Sequence, residues 1–164
     1  MPLHQAVQVF MQTAGQSVDG MNGRQGSLYI GLMLEEIGET IEAVQAGAIS
    51  EVQRMHYQPL INMLKTYASE FRAGLHQGDV MRAEQEPLID GLFDSAWVAI
   101  GALYSIARHP LGAIAHGAFT NLDKFESNDR GSFTALKDEN GKVKKRQGWR
   151  TPDFSDYVDT APRD

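Results

Sequence analysis

A chain of 164 residues with a formal net charge of -6 can bury one sizeable core, and its acidity argues against a nucleic-acid backbone as the main partner. Its composition, 42% hydrophobic and 22% charged, is that of a globular protein rather than a disordered one. Cysteine is absent, which excludes disulfides, thiolate metal ligands and cysteine nucleophiles.

The opening MPLHQAVQVFMQTAG carries neither the basic region nor the long apolar run of a signal peptide. No apolar stretch is expected to reach the length of a membrane span, so the sequence predicts a cytoplasmic protein with no membrane partner. The spacing of Ala6, Val7, Phe10, Met11 and Ala14 predicts a first helix over 4–14, ended by the glycine-bearing run 15–26. A second helix is expected from Ser27, read as its N-cap, to about residue 46, with Leu28, Leu32, Leu34, Ile37, Ile41 and Val44 as apolar positions and Gly47 at its end. Residues 50–75 predict a third, kinked or broken at Pro59. Pro87 opens PLIDGLFDSAWVAIGALYSIARH, an apolar run that closes before Pro110 and predicts the central buried helix. A short helix over 110–124 follows. Beyond it, TALKDENGKVKKRQG sets an ENG turn between two polar arms, which predicts a small hairpin or ordered loop before an irregular tail. The expected architecture is a single all-α domain, with a bundle of four to five helices over 1–130 and a basic hairpin and tail over 131–164.

The chemistry concentrates in LEEIGETIEAV. Glu36 and Glu39 share a helical face, with Glu35 and Glu42 on neighbouring rows, and uncompensated carboxylates so placed repel. A solvated acidic stripe is the bland explanation. A second pair, Asp90 and Asp94, lies one turn apart in the most apolar helix, with no lysine or arginine in that run to offset it. Burying such carboxylates costs several kcal/mol without a partner, so a cation between two facing helices is the economical solution. An all-oxygen cage suits magnesium or manganese rather than zinc. Among bases, Lys142, Lys144, Lys145 and Arg146 form the one strong cluster, and Asn121 and Lys124 stand one turn apart.

LEEIGET, with Glu35, Glu36 and Glu39, resembles the EExxE motif of the MazG-like all-alpha nucleoside triphosphate pyrophosphohydrolases. Asp94 in FDSAWVAIGAL is similar to the aspartate of their ExxD motif, although Gly91 stands where that motif has its glutamate, so Asp90 substitutes for it. TNLDKF resembles the family's NxxK element, and KDENGKVKKRQGWRTPDF the basic loop of phage-type members. FMQTAGQSV resembles the opening segment of that subgroup. The ordered set touches most of the chain, while the segment between the two acidic motifs is longer than the family pattern.

The resemblance implies hydrolysis of a (deoxy)nucleoside triphosphate, such as dGTP or dATP, to monophosphate and pyrophosphate in the cytoplasm, that of a host cell if the chain is phage-encoded. It implies two or more magnesium ions, or manganese in their place, held by Glu36, Glu39, Asp90 and Asp94, with Glu35 a further ligand or the general base. Asn121, Lys124, Lys145, Arg146 and Arg150 would bind phosphates. Trp149 would act as lid or base-stacking group, and Phe10 with Gln16 would read the base; packing roles for Trp149 and Phe10 are the alternatives. Family members are homodimers or homotetramers, which sets the same expectation here. Two other classes compete: a di-metal carboxylate bundle of the di-iron kind, which wants an ExxH motif this chain lacks, and a non-enzymatic adaptor whose basic hairpin binds a partner.

Overall fold

The computed structural model describes residues 1–127 and 133–158. Six helices occur among them: α1 Leu3–Thr13, α2 Gly23–Ala46, α3 Glu51–Ala73, α4 Gln77–Arg82, α5 Gln85–Ile106 and α6 Pro110–Leu122. Two short strands, β1 Glu126–Ser127 and β2 Phe133–Thr134, pair antiparallel, and a single 3-10 turn covers Ser155–Tyr157. The all-α class is as expected. The helix count exceeds the expected four to five because α4 forms beyond Gly74. The expected boundary between helical core and tail, at residues 130 and 131, lies outside the described residues, as does the end of the tail from 159.

The chain divides into two compact units, one of residues 19–83 with 138–142, the other of 1–18, 84–137 and 143–164. In the first, α2 and α3 form an antiparallel pair. Asn22 caps α2, its Oδ1 accepting from the Gln25 amide at 3.0 Å, and Ser50 caps α3 by accepting from the Gln53 amide at 3.2 Å. Gly74 ends α3 in the left-handed region at φ 82°, and the Leu75 amide reaches back to the Glu70 carbonyl at 3.1 Å. Two expectations are corrected here. Ser27 is not a cap: α2 starts a turn earlier, and fully buried Ser27 donates from Oγ to the Phe71 carbonyl at 2.6 Å, tying α2 to the end of α3. Of the two outcomes expected at Pro59, a kink or a break, the break does not occur: α3 runs through it.

Close approach rather than bulk makes the α2–α3 contact. Leu28, Ile61 and Ala68 are buried between them. A Cβ on Gly31 would come within 2.8 Å of the Ala68 carbonyl oxygen and the Arg72 amide, so only glycine lets the backbones this near.

In the second unit, α1 packs on α6, and Ala14, Phe125 and Val143 make a small core against which Phe10, Leu122 and Ala135 lie. Phe10 and Phe125 have ring centroids 4.9 Å apart. Pro110 occupies the first turn of α6, as its fixed φ allows. The tail returns along α6, with His116 ring centroids 5.7 Å from Phe154 and 5.9 Å from Tyr157.

Helix α5 overturns the expectation of a central buried helix: none of its residues is buried, and Trp97, Val98 and Ile89 are each more than 60% exposed. Its apolar character is as expected, but none of its residues is buried by the described residues. It also corrects the expected absence of any apolar stretch of membrane-spanning length, since by length and composition alone α5 qualifies. Asp94 near its middle, with Asp90 a turn before it, would be costly in a bilayer.

Candidate functional site

The two acidic sets fall on different units, α2 in one and α5 in the other. On α2, Glu35 is half-buried and doubly paired: Arg72 Nη1 donates to Oε1 at 3.0 Å and Lys142 Nζ to Oε2 at 2.9 Å. Arg72 comes from α3 and Lys142 from the turn 138–142, so this carboxylate joins three segments. The same turn is held by Arg24, whose Nη2 donates to the Asn140 carbonyl at 3.2 Å. Glu36 and Glu39 are exposed, and the Glu39 carboxylate has no side-chain partner among the described residues. Glu42 pairs with Lys65.

On α5, Asp90 and Asp94 are exposed and lack partners among the described residues. The desolvation argument for a cation therefore has no footing within the single chain, because α5 is not buried there. What survives is donor chemistry: accessible carboxylates in pairs a helical turn apart are hard oxygen donors of the kind magnesium takes. Among the described residues, no three histidine, aspartate or glutamate side chains converge on a metal-sized point.

The basic residues are divided: Lys142 belongs to the unit of α2, and Lys124, Lys144, Lys145, Arg146 and Arg150 to the unit of α5. The hairpin forms as expected: Asp138 Oδ1 accepts from the Asn140 and Lys142 amides, both at 2.9 Å, and Gly141 supplies the positive φ of 87°. Past it, Trp149 donates from Nε1 to the Thr120 carbonyl at 2.8 Å, which docks the segment on α6. Lys145 Nζ lies 4.5 Å and Lys124 Nζ 5.5 Å from the centre of the Trp149 ring, two cation–π contacts on one indole.

Arg146 is occupied locally. Its Nη2 donates to both Asp123 carboxylate oxygens at 2.8 and 2.9 Å, and its Nε to the Asp123 carbonyl at 2.8 Å. Beside it opens a cleft of about 600 Å³ lined by His116, Thr120, Asp123, Arg146, Arg150 and Asp153. Arg150 has no partner among the described residues. Bonding to Ser155, first through its amide, holds the Asp153 carboxyl below its ordinary range, and His116 adds to this.

Asn121, expected beside Lys124 on one anion, is among the residues lining an apolar groove of about 370 Å³ with Leu103, Ile106, Phe154 and Tyr157. Phe10 is committed to the small core described above, and Gln16 follows α1 in the loop. Arg72 and Arg24 were missed from the sequence. Neither belongs to a motif, and Arg72 meets Glu35 only through the α2–α3 pairing.

No family model matches this chain, and neither a curated protein nor a solved structure matches it.

Proposed function

We propose that this protein is a metal-dependent nucleoside triphosphate pyrophosphohydrolase of the MazG-like all-alpha kind, acting on a purine deoxynucleotide such as dGTP or dATP in the cytoplasm. The observation that carries the reading is the Trp149 group: one indole flanked by Lys124 and Lys145, beside a cleft lined by Arg150, whose guanidinium has no partner among the described residues. An aromatic face among cations suits a ligand that joins a base to phosphates. The rest of this chain is acidic, so the concentration of positive charge there is selective.

Magnesium, or manganese in its place, would find oxygen donors in Glu36 and Glu39 on α2 and, separately, in Asp90 and Asp94 on α5, and would supply charge neutralisation and an acidified water. In hydrolysis of the anhydride between the α and β phosphates, the chain's own work is to orient and to offset charge. Lys124, Lys145 and Arg150 balance the triphosphate, Trp149 packs on the base, and Arg146 keeps the basic segment in place through Asp123. Glu35 takes part as ligand or general base only after giving up Lys142 or Arg72. A homodimer or homotetramer completes the reading, because an apolar helix left exposed among the described residues is the kind of surface a second copy covers.

Pyrophosphate release with magnesium, measured over a panel of ribo- and deoxynucleoside triphosphates, tests this. Release is expected from the wild type and reduced about 100-fold or more in Glu39→Gln. No release from any nucleotide would sink the reading and favour the adaptor.

A further inference from the structure

Where α3 hands over to α4, one imidazole stands between two carboxylates. His76 Nε2 lies 3.1 Å from Glu70 Oε2 on α3, and Nδ1 lies 3.1 Å from Asp79 Oδ2 on α4. The ring stacks on Phe71 with centroids 4.3 Å apart, and Tyr67 stands 6.4 Å away. A neutral imidazole carries one N–H and can donate to only one of these carboxylates, whereas the imidazolium donates to both.

The surrounding charges are few. Arg82 Nη2 donates to Asp79 Oδ1 at 2.7 Å. From α2, Arg24 donates to the Arg72 carbonyl at 2.7 Å and stands beside Gly74. Helix α4 has only six residues, too few to persist without tertiary contacts. Apart from His76, it is held by buried Val80 beside Gly26 and by Met81 against Gly23. It is also the last helix of its unit before the chain crosses to the other at residue 84.

We propose that His76 is a protonation-controlled latch: as imidazolium it fastens α4 to the end of α3, and on losing its proton it releases one carboxylate and lets α4 loosen from the first turns of α2. The direction of titration agrees. The bond to Glu70, then that to Asp79, raises the His76 pKa above its ordinary value, while His76 is the largest influence holding Asp79 low. A raised histidine pKa means the latch is complete below the ordinary value and is lost as pH rises through the raised one. The inference does not depend on the nucleotide reading.

The test is a nuclear magnetic resonance titration of the histidine rings in the full chain, with amide exchange followed over pH about 5 to 8. His76 should titrate above an ordinary histidine and fall back toward it in Glu70→Gln. Protection of the 77–82 amides, corrected for intrinsic exchange, should drop about two- to fivefold as the ring deprotonates, the size expected of an exposed ion pair. That drop should vanish in His76→Gln. An ordinary His76 titration in the wild type, a titration unmoved in Glu70→Gln, or pH-independent protection of α4 would each overturn the latch. The Glu70→Gln titration decides the matter even if His76→Gln does not fold.

Discussion

Helices α2 and α5 read alike as sequence and end differently. Each exceeds twenty residues, each mixes apolar side chains with carboxylates a turn apart, and each carries glycine in its interior. In α2 the glycines face a neighbour: Gly31 lies against the backbone of α3 and Gly38 against Leu64. In α5, Gly91 and Gly101 meet nothing within 4 Å. Apolar content makes both helices candidates for burial. What decides it within one chain is whether a partner helix of matching length follows across a short connection, as α3 follows α2.

The comparison breaks hardest at Gly31. Gly31→Val places a branched side chain where even a Cβ meets backbone atoms that cannot step aside. Overpacking of this kind costs about 1–3 kcal/mol, and the rigid neighbours put Gly31 at the upper end. Thermal unfolding should show Tm falling by several degrees. An unchanged Tm would mean that the α2–α3 contact is looser than its geometry.

A smaller loss is expected at Ser27→Ala. The hydroxyl is buried and its partner, the Phe71 carbonyl, still accepts from the Gly74 amide at 3.0 Å, so one of two bonds is lost. About 1 kcal/mol is expected, or about 2–4 °C in a chain of this size. Ser27→Thr, which keeps the hydroxyl but adds a methyl beside α3, separates the bond from the space it occupies.

Legibility followed the range of the forces. Helix ends written in local chemistry were readable: Gly47 closing α2, Pro110 opening α6, and the hairpin turn at Asn140 and Gly141. Ser27 was misread because a serine before an apolar run also suits a buried hydrogen bond, and Asn22 earlier in the loop supplied the better cap. Of the site, Lys124, Lys145, Arg146, Trp149 and Arg150 were nameable from sequence, as were the carboxylates. What could not be read was pairing. That Glu35 is neutralised by Arg72 and Lys142, and that Asn121 faces an apolar groove, are consequences of how helices pack, and neither residue type nor spacing encodes them.

The smallest effect sharpens the comparison most, because Gly91→Ala has opposite signs in two assemblies. In the chain alone, the added methyl meets open space and removes the backbone freedom glycine has when unfolded, so α5 should gain about 0.5–1 kcal/mol. At low protein concentration Tm should therefore rise by a degree or two. If a second copy covers this face closely, the same methyl intrudes on the contact, and the concentration-dependent part of Tm should shrink. Melting wild type and Gly91→Ala over a wide concentration range separates the cases. A parallel rise at every concentration means that the Gly91 face stays open; a gain at dilution that reverses on concentrating means that α5 is buried by a second copy.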